Sequence, residues 1–160
     1  VQNKMLWAVT GQTAAELISD RSDPSLPNMG LQSWDGSQAR KKDATVAKNY
    51  LRRPEIRELD RIVVMYLDFA EDQARRRRTM TMREWEERLD SFLSFNEREL
   101  LTHAGTVRAD VAESLAHERY EQFDATRKSL ERQRADAEDL RTIEALRRRL
   151  PPERRRDDKL

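Results

Sequence analysis

Apolar residues along this chain recur at three- and four-residue intervals, the spacing that gathers side chains on one face of an α-helix. In residues 2–10, Met5, Leu6 and Val9 keep that spacing, with Trp7 and Ala8 beside them, and Gly11 follows as a natural helix terminator. Thr13 and Glu16 form the pattern of a capping box, in which each side chain satisfies the other's free backbone N–H. A second helix is therefore predicted over about 14–21, burying Leu17 and Ile18. Residues 21–42 hold two prolines, two glycines, Asn28, Ser33 and Ser37, and read as one long loop that Met29, Leu31 and Trp34 pin to the helices. Asp43 is expected to cap a short helix running through Tyr50, and Pro54 suits the first turn of the next helix.

The clearest periodicity covers 55–74. Ile56, Leu59, Ile62, Val63, Tyr66, Leu67 and Ala70 make one apolar stripe. A second capping box, Thr81 with Glu84, opens a helix whose stripe is Trp85, Leu89, Phe92 and Leu93. Leu59, Ile62, Val63, Tyr66, Trp85, Leu89 and Phe92 are expected in one buried cluster. A third box, Asn96 with Glu99, predicts a short helix carrying Leu100 and Leu101 and closed by Gly105. From about 107 to 149 neither Pro nor Gly occurs, which predicts one continuous helix. Its first part is expected to pack through Val111, Leu115, Tyr120 and Phe123. Beyond 124 apolar residues thin to Leu130, Leu140, Ile143 and Leu146 without a strict heptad, so residues past about 130 are expected to project and fray unless a partner covers them. The expected fold is all-α: a compact multi-helix core over 1–124, a charged extended helix over 125–150 and a disordered tail over 151–160.

Composition sharpens this picture by exclusion. Charged residues reach 38%, which suits long solvated helices around a modest core. Residues 1–105 carry 17 basic and 17 acidic side chains and residues 106–160 carry 14 and 13, so neither part is a basic body with a general footprint for nucleic acid. Cysteine is absent, which removes disulfides and thiolate metal sites and is compatible with a cytoplasmic location. No apolar run approaches a membrane span. The chain opens on Val1, with helical pattern at once, and an N-terminal part is expected to be missing.

Candidate chemistry is sparse. Gly11, Gly30, Gly36 and Gly105 stand apart and follow no strand, so no dinucleotide turn exists, and no phosphate-binding loop is present either. His103 and His117 are fourteen residues apart and do not make the i, i+4 pair of a helical zinc site. His103 reads as a helix-end residue next to the C-terminal dipole. The acidic pairs Glu86/Glu87 and Asp136/Glu138/Asp139 lie among arginines and read as solvated faces. No cofactor, metal or catalytic residue is expected. Two groups remain. Asn28, Trp34, Arg40, Lys41, Lys48 and Asn49, in or beside the long loop, supply donors and an aromatic for a binding pocket, against the plainer reading of a loop packed on the core. Arg75, Arg76, Arg77 and Arg78 form a basic cluster at a helix C-terminus, either a solvated end favoured by the dipole or a contact for phosphate or an acidic partner.

Several long runs in fixed order add a family resemblance. VQNKMLWAVTGQTAAELI (1–18), PNMGLQSW (27–34), VAKNYL (46–51), LDRIVVMYLDFAEDQA (59–74), MTMREWEERLDSFLSFNERELLTHAG (80–105) and ERYEQFD (118–124) resemble the C-terminal half of the virulence RhuM family. The resemblance spans roughly residues 1–125. It implies a bacterial host-interaction or mobile-element context, an absent N-terminal DNA-binding module of helix-turn-helix type, and no catalytic residues to carry over. Partners are then expected to be a protein or a second copy through the C-terminal helix, with DNA reached only through the missing module and no membrane. Related helical regions also follow Fic/Doc-type death-on-curing enzymes, so a helical extension of such a toxin is the alternative; the signature His-Pro-Phe-x-x-Gly-Asn is absent here.

Overall fold

In the computed structural model, which describes residues 1–149, all regular structure is helical: α1 (Gln2–Thr10), α2 (Ala14–Arg21), α3 (Arg53–Arg75), α4 (Met82–Phe95) and α5 (Ala109–Arg149), with 3₁₀ turns at Pro27–Gly30, Lys41–Thr45 and Ala47–Tyr50. No strand occurs among the described residues, and the all-α expectation holds. The expected tail at 151–160 lies outside the described residues. The chain divides into a compact unit, Val1–Phe123, and a second unit beginning at Asp124.

Local chemistry places the helix ends. Gly11, at φ 71°, closes α1, and its N–H reaches the Trp7 carbonyl at 2.8 Å. Both threonine boxes form. Thr13 N–H donates to Glu16 at 2.9 Å and Thr81 N–H donates to Glu84 at 2.7 Å, while each hydroxyl receives the N–H of its glutamate at 3.3 Å. At α3 the Arg52 N–H donates to Glu55 at 2.7 Å, with Pro54 in the first turn.

The third box does not form. Asn96 ends α4 instead of starting a helix, its side-chain amide donating to the Phe92 carbonyl at 2.8 Å. Glu97 then enters the left-handed region at φ 57°; its N–H meets Ser94 O at 3.0 Å, and Arg98 N–H meets Leu93 O at 2.9 Å. This is a Schellman closure, and α3 ends in the same way at Arg77, φ 53°, with Arg77 N–H on Ala74 O and Arg78 N–H on Gln73 O. Asparagine serves either helix end, and the hydrophobic contacts of Leu93 chose this one. Residues 99–108 are irregular, and no helix ends beside His103, so the dipole reading of that residue falls. Because Glu97 pays the left-handed cost of ~1–2 kcal/mol that glycine avoids, Glu97→Gly is expected to stabilise the fold by up to about 1 kcal/mol; urea denaturation followed by circular dichroism checks the sign, and a destabilised variant contradicts it.

Asp43 is likewise not the cap of a helix through Tyr50. It is buried inside the first of two 3₁₀ turns, where its carboxylate accepts the Arg40 N–H at 2.8 Å. Tyr50 is buried too, its hydroxyl donating to the Ala44 carbonyl at 2.7 Å, and burial pushes that phenol far above its ordinary range.

The core forms two clusters where one was expected. The larger joins Leu6, Leu17, Met29, Leu31, Tyr50, Leu51, Leu59, Ala112 and Ala116, with Val63 on its border. The smaller joins Ile62, Tyr66, Leu89 and Leu93, bordered by Trp85 and Phe92. Met5 and Val9 of α1 border both clusters. On α3 the inward line runs Leu59, Ile62, Tyr66, Phe69 and Gln73, which rotates Leu67 out to 59% exposure and corrects the expected stripe. Phe69 stacks against Tyr66 and meets Trp85 edge-on. On α5 the buried pair is Ala112 and Ala116, one turn apart, whose small side chains let the helix approach closely. Val111, expected inward, is 52% exposed, whereas Tyr120 and Phe123 pack on the larger cluster as expected.

Candidate interaction surface

The six loop residues hold distinct structural positions. Met29 and Leu31 are buried and Trp34 packs on the larger cluster, so the loop is pinned through these side chains. Asn28 opens a left-handed turn, φ 51°, 50° and 88° at Asn28, Met29 and Gly30, that delivers Met29 to the core. The Asn49 carbonyl receives the N–H groups of Gln32 and Ser33 at 2.7 and 3.2 Å, and its amide donates to the Asp43 carbonyl at 3.1 Å. Arg40 is exposed, Lys41 pairs with Glu121 at 2.7 Å, and Lys48 lies 3.9 Å from Asp60. A cleft of about 340 Å³ beside this loop is lined by Asp20, Arg21, Asp23, Gln32, Tyr50 and Arg52 among others, and by none of the six.

The arginine run forms the end of α3. Arg75 pairs with Glu71 at 2.6 Å and Arg76 with Asp72 at 3.2 Å, both one helical turn back, and all four arginines are exposed. Such exposed pairs are worth ~0.2–1 kcal/mol. Arg77 supplies the left-handed residue of the Schellman closure, so three of the four arginines are engaged in helix termination or local pairing.

Long-range polar contacts, which no local pattern announces, hold the compact unit together. Besides closing its capping box, Glu16 accepts the N–H and hydroxyl of Thr106 at 2.7 and 2.9 Å. Burial alone would raise the Glu16 carboxyl, but the N–H groups of Thr106 and Thr13, then their hydroxyls, hold it below the ordinary glutamate range. Arg21 makes a two-pronged pair with Glu55 at 2.7 and 2.8 Å, and the Arg21 guanidinium holds the Glu55 carboxyl below its usual range. Arg119 caps α2 by donating to the carbonyls of Ser19 and Ser22 at 2.6 and 2.5 Å. His103 meets Trp7 edge-on at 4.9 Å, and its Nδ1 accepts the Gly105 N–H at 3.0 Å.

Within the second unit Asp124 and Arg127 are half-buried. Every residue from Lys128 to Arg149 is exposed, including Leu130, Leu140, Ile143 and Leu146. No described helix is long and apolar enough to cross a membrane, and no group of three or more His, Asp or Glu among the described residues is arranged to hold a metal ion.

These features define a helical, loop-pinned domain whose exposed large apolar side chains include five on its last helix, four of them beyond Lys128. Comparison with protein families matches residues 1–131 to the Virulence protein RhuM family. The chain belongs to that family. Comparisons with curated proteins and with solved structures gave no significant match.

Proposed function

We propose that this region is a non-catalytic, cytoplasmic interaction domain of a RhuM-family protein, with the distal half of α5 as its contact element and a regulatory role beside an N-terminal DNA-binding module. One observation carries the reading: Leu130, Leu140, Ile143 and Leu146 are all about half exposed or more, on a helix with no Pro or Gly to break it. Large apolar side chains kept on a solvated helix favour a partner surface, because each gains from leaving water. The first part of α5 packs on the larger cluster through Ala112, Ala116, Tyr120 and Phe123.

Site-specific photo-crosslinking in the intact protein tests this. A photoreactive residue at position 140 is expected to give a discrete protein adduct in cells, and one at the exposed position Arg57 is not. Equal labelling at both positions, or none at 140, overturns the proposal.

A further inference from the structure

Because α5 is one unbroken helix, residues seven apart return to nearly the same face. Leu130, Ala137 and Glu144 form one such row, and Gln133, Leu140 and Arg147 form the row beside it. Together they make a short seam in which Leu130, Ala137 and Leu140 are apolar and Gln133, Glu144 and Arg147 are polar. Arg134, Arg141 and Arg148 line one flank, again seven apart, and Ser129, Asp136 and Ile143 line the other. All three flank arginines are exposed, and among the described residues none has a carboxylate within 4 Å. One whole side of the seam is thus a row of guanidiniums that form no ion pair among the described residues.

That row identifies the occupant by charge. In an antiparallel pair of identical helices, this flank would face itself and set arginine against arginine. In a parallel pair it would face the other flank, where Asp136 is the one acid, while Glu144 and Arg147 would each meet their own copy inside the seam. Like charges set against each other act against such pairing. We propose that the distal face of α5 docks an acidic amphipathic helix of another protein, one that sets leucine-type side chains on Leu130, Ala137 and Leu140 and carboxylates on Arg134, Arg141 and Arg148. This rests on the reading of α5 as the contact element, and it commits that element to a foreign acidic helix over a second copy.

The test uses the full chain and two labelled 21-residue helical peptides. Both peptides carry leucine at the seam positions; one has glutamate and the other lysine at the flanking positions. Fluorescence anisotropy is expected to show the acidic peptide binding at least about 10-fold tighter than the basic one at low salt, with the advantage shrinking as salt rises. Arg134→Glu, Arg141→Glu and Arg148→Glu together are expected to reverse the preference. Lys128→Glu, Arg132→Glu and Arg149→Glu, the same charge change off the seam, are expected to leave it, with helix content of both variants checked by circular dichroism. Equal binding of the two peptides, no binding of either, or an equal shift in both variants overturns the proposal. So does sedimentation of the unmodified chain as a dimer. A cross-link at position 140 to a second copy would leave the interaction reading standing and remove this one.

Discussion

Gly30→Ala is expected to lower the stability of the compact unit by about 3 kcal/mol or more. Gly30 sits at φ +88°, where a side chain costs ~1–2 kcal/mol. A Cβ at this position would overlap the Arg21 backbone carbonyl, which belongs to α2 and has no flexible end to swing away. Forcing extra volume into a packed site adds ~1–3 kcal/mol. The contact also ends the left-handed turn that seats Met29 in the core, so relief by backbone movement would withdraw a fully buried side chain. Gly36→Ala is the control: its φ is +85°, but nothing lies within 4 Å of the added Cβ, so it bears the conformational cost alone. Urea denaturation of both variants, followed by circular dichroism, reads the difference. Equal losses at the two positions would show that the Arg21 contact does not matter.

The second large effect is expected for Leu89→Ala, at about 2–5 kcal/mol. Leu89 is fully buried in the smaller cluster, which has just Ile62, Tyr66 and Leu93 as its other buried members. A cavity there removes contacts from both α3 and α4, and the Tyr66 hydroxyl, which donates to the Trp85 carbonyl at 2.8 Å, limits how far the helices can close in. Leu67→Ala makes the comparison on the same helix pair. At 59% exposure that change is expected within about 0.5 kcal/mol of neutral. A Leu89 variant as stable as the Leu67 variant would refute the assignment of the inward face.

Legibility followed the range of the interactions. Both threonine boxes could be read because cap, glutamate and the N–H groups they serve lie within four residues. The Asn96 pattern misled because asparagine with glutamate three residues on fits a helix start, while the same asparagine also serves a helix end. Its role depended on Leu93 of α4 packing with Ile62 and Tyr66 of α3. Val111 and Leu67 fit an inward stripe by apolar character, but the face that turns inward depends on which neighbour each helix meets. Among the candidate loop residues, Trp34 could be read as a pin from its size, but the two bonds that Asn49 accepts from Gln32 and Ser33 belong to backbone geometry and leave no trace in residue type.

The sequence by itself determined the helical class, most helix ends, the pinned loop, the unbroken C-terminal helix and the family, because periodicity, caps and breakers act over a few residues and long ordered runs mark descent. The tertiary structure decided the split into two core clusters, the inward turn of Ala112 and Ala116, and the anchoring of Thr106 by Glu16 and of α2 by Arg119. Those depend on which distant surfaces meet, and burial is a property of the meeting surfaces, set by the packing of the whole chain.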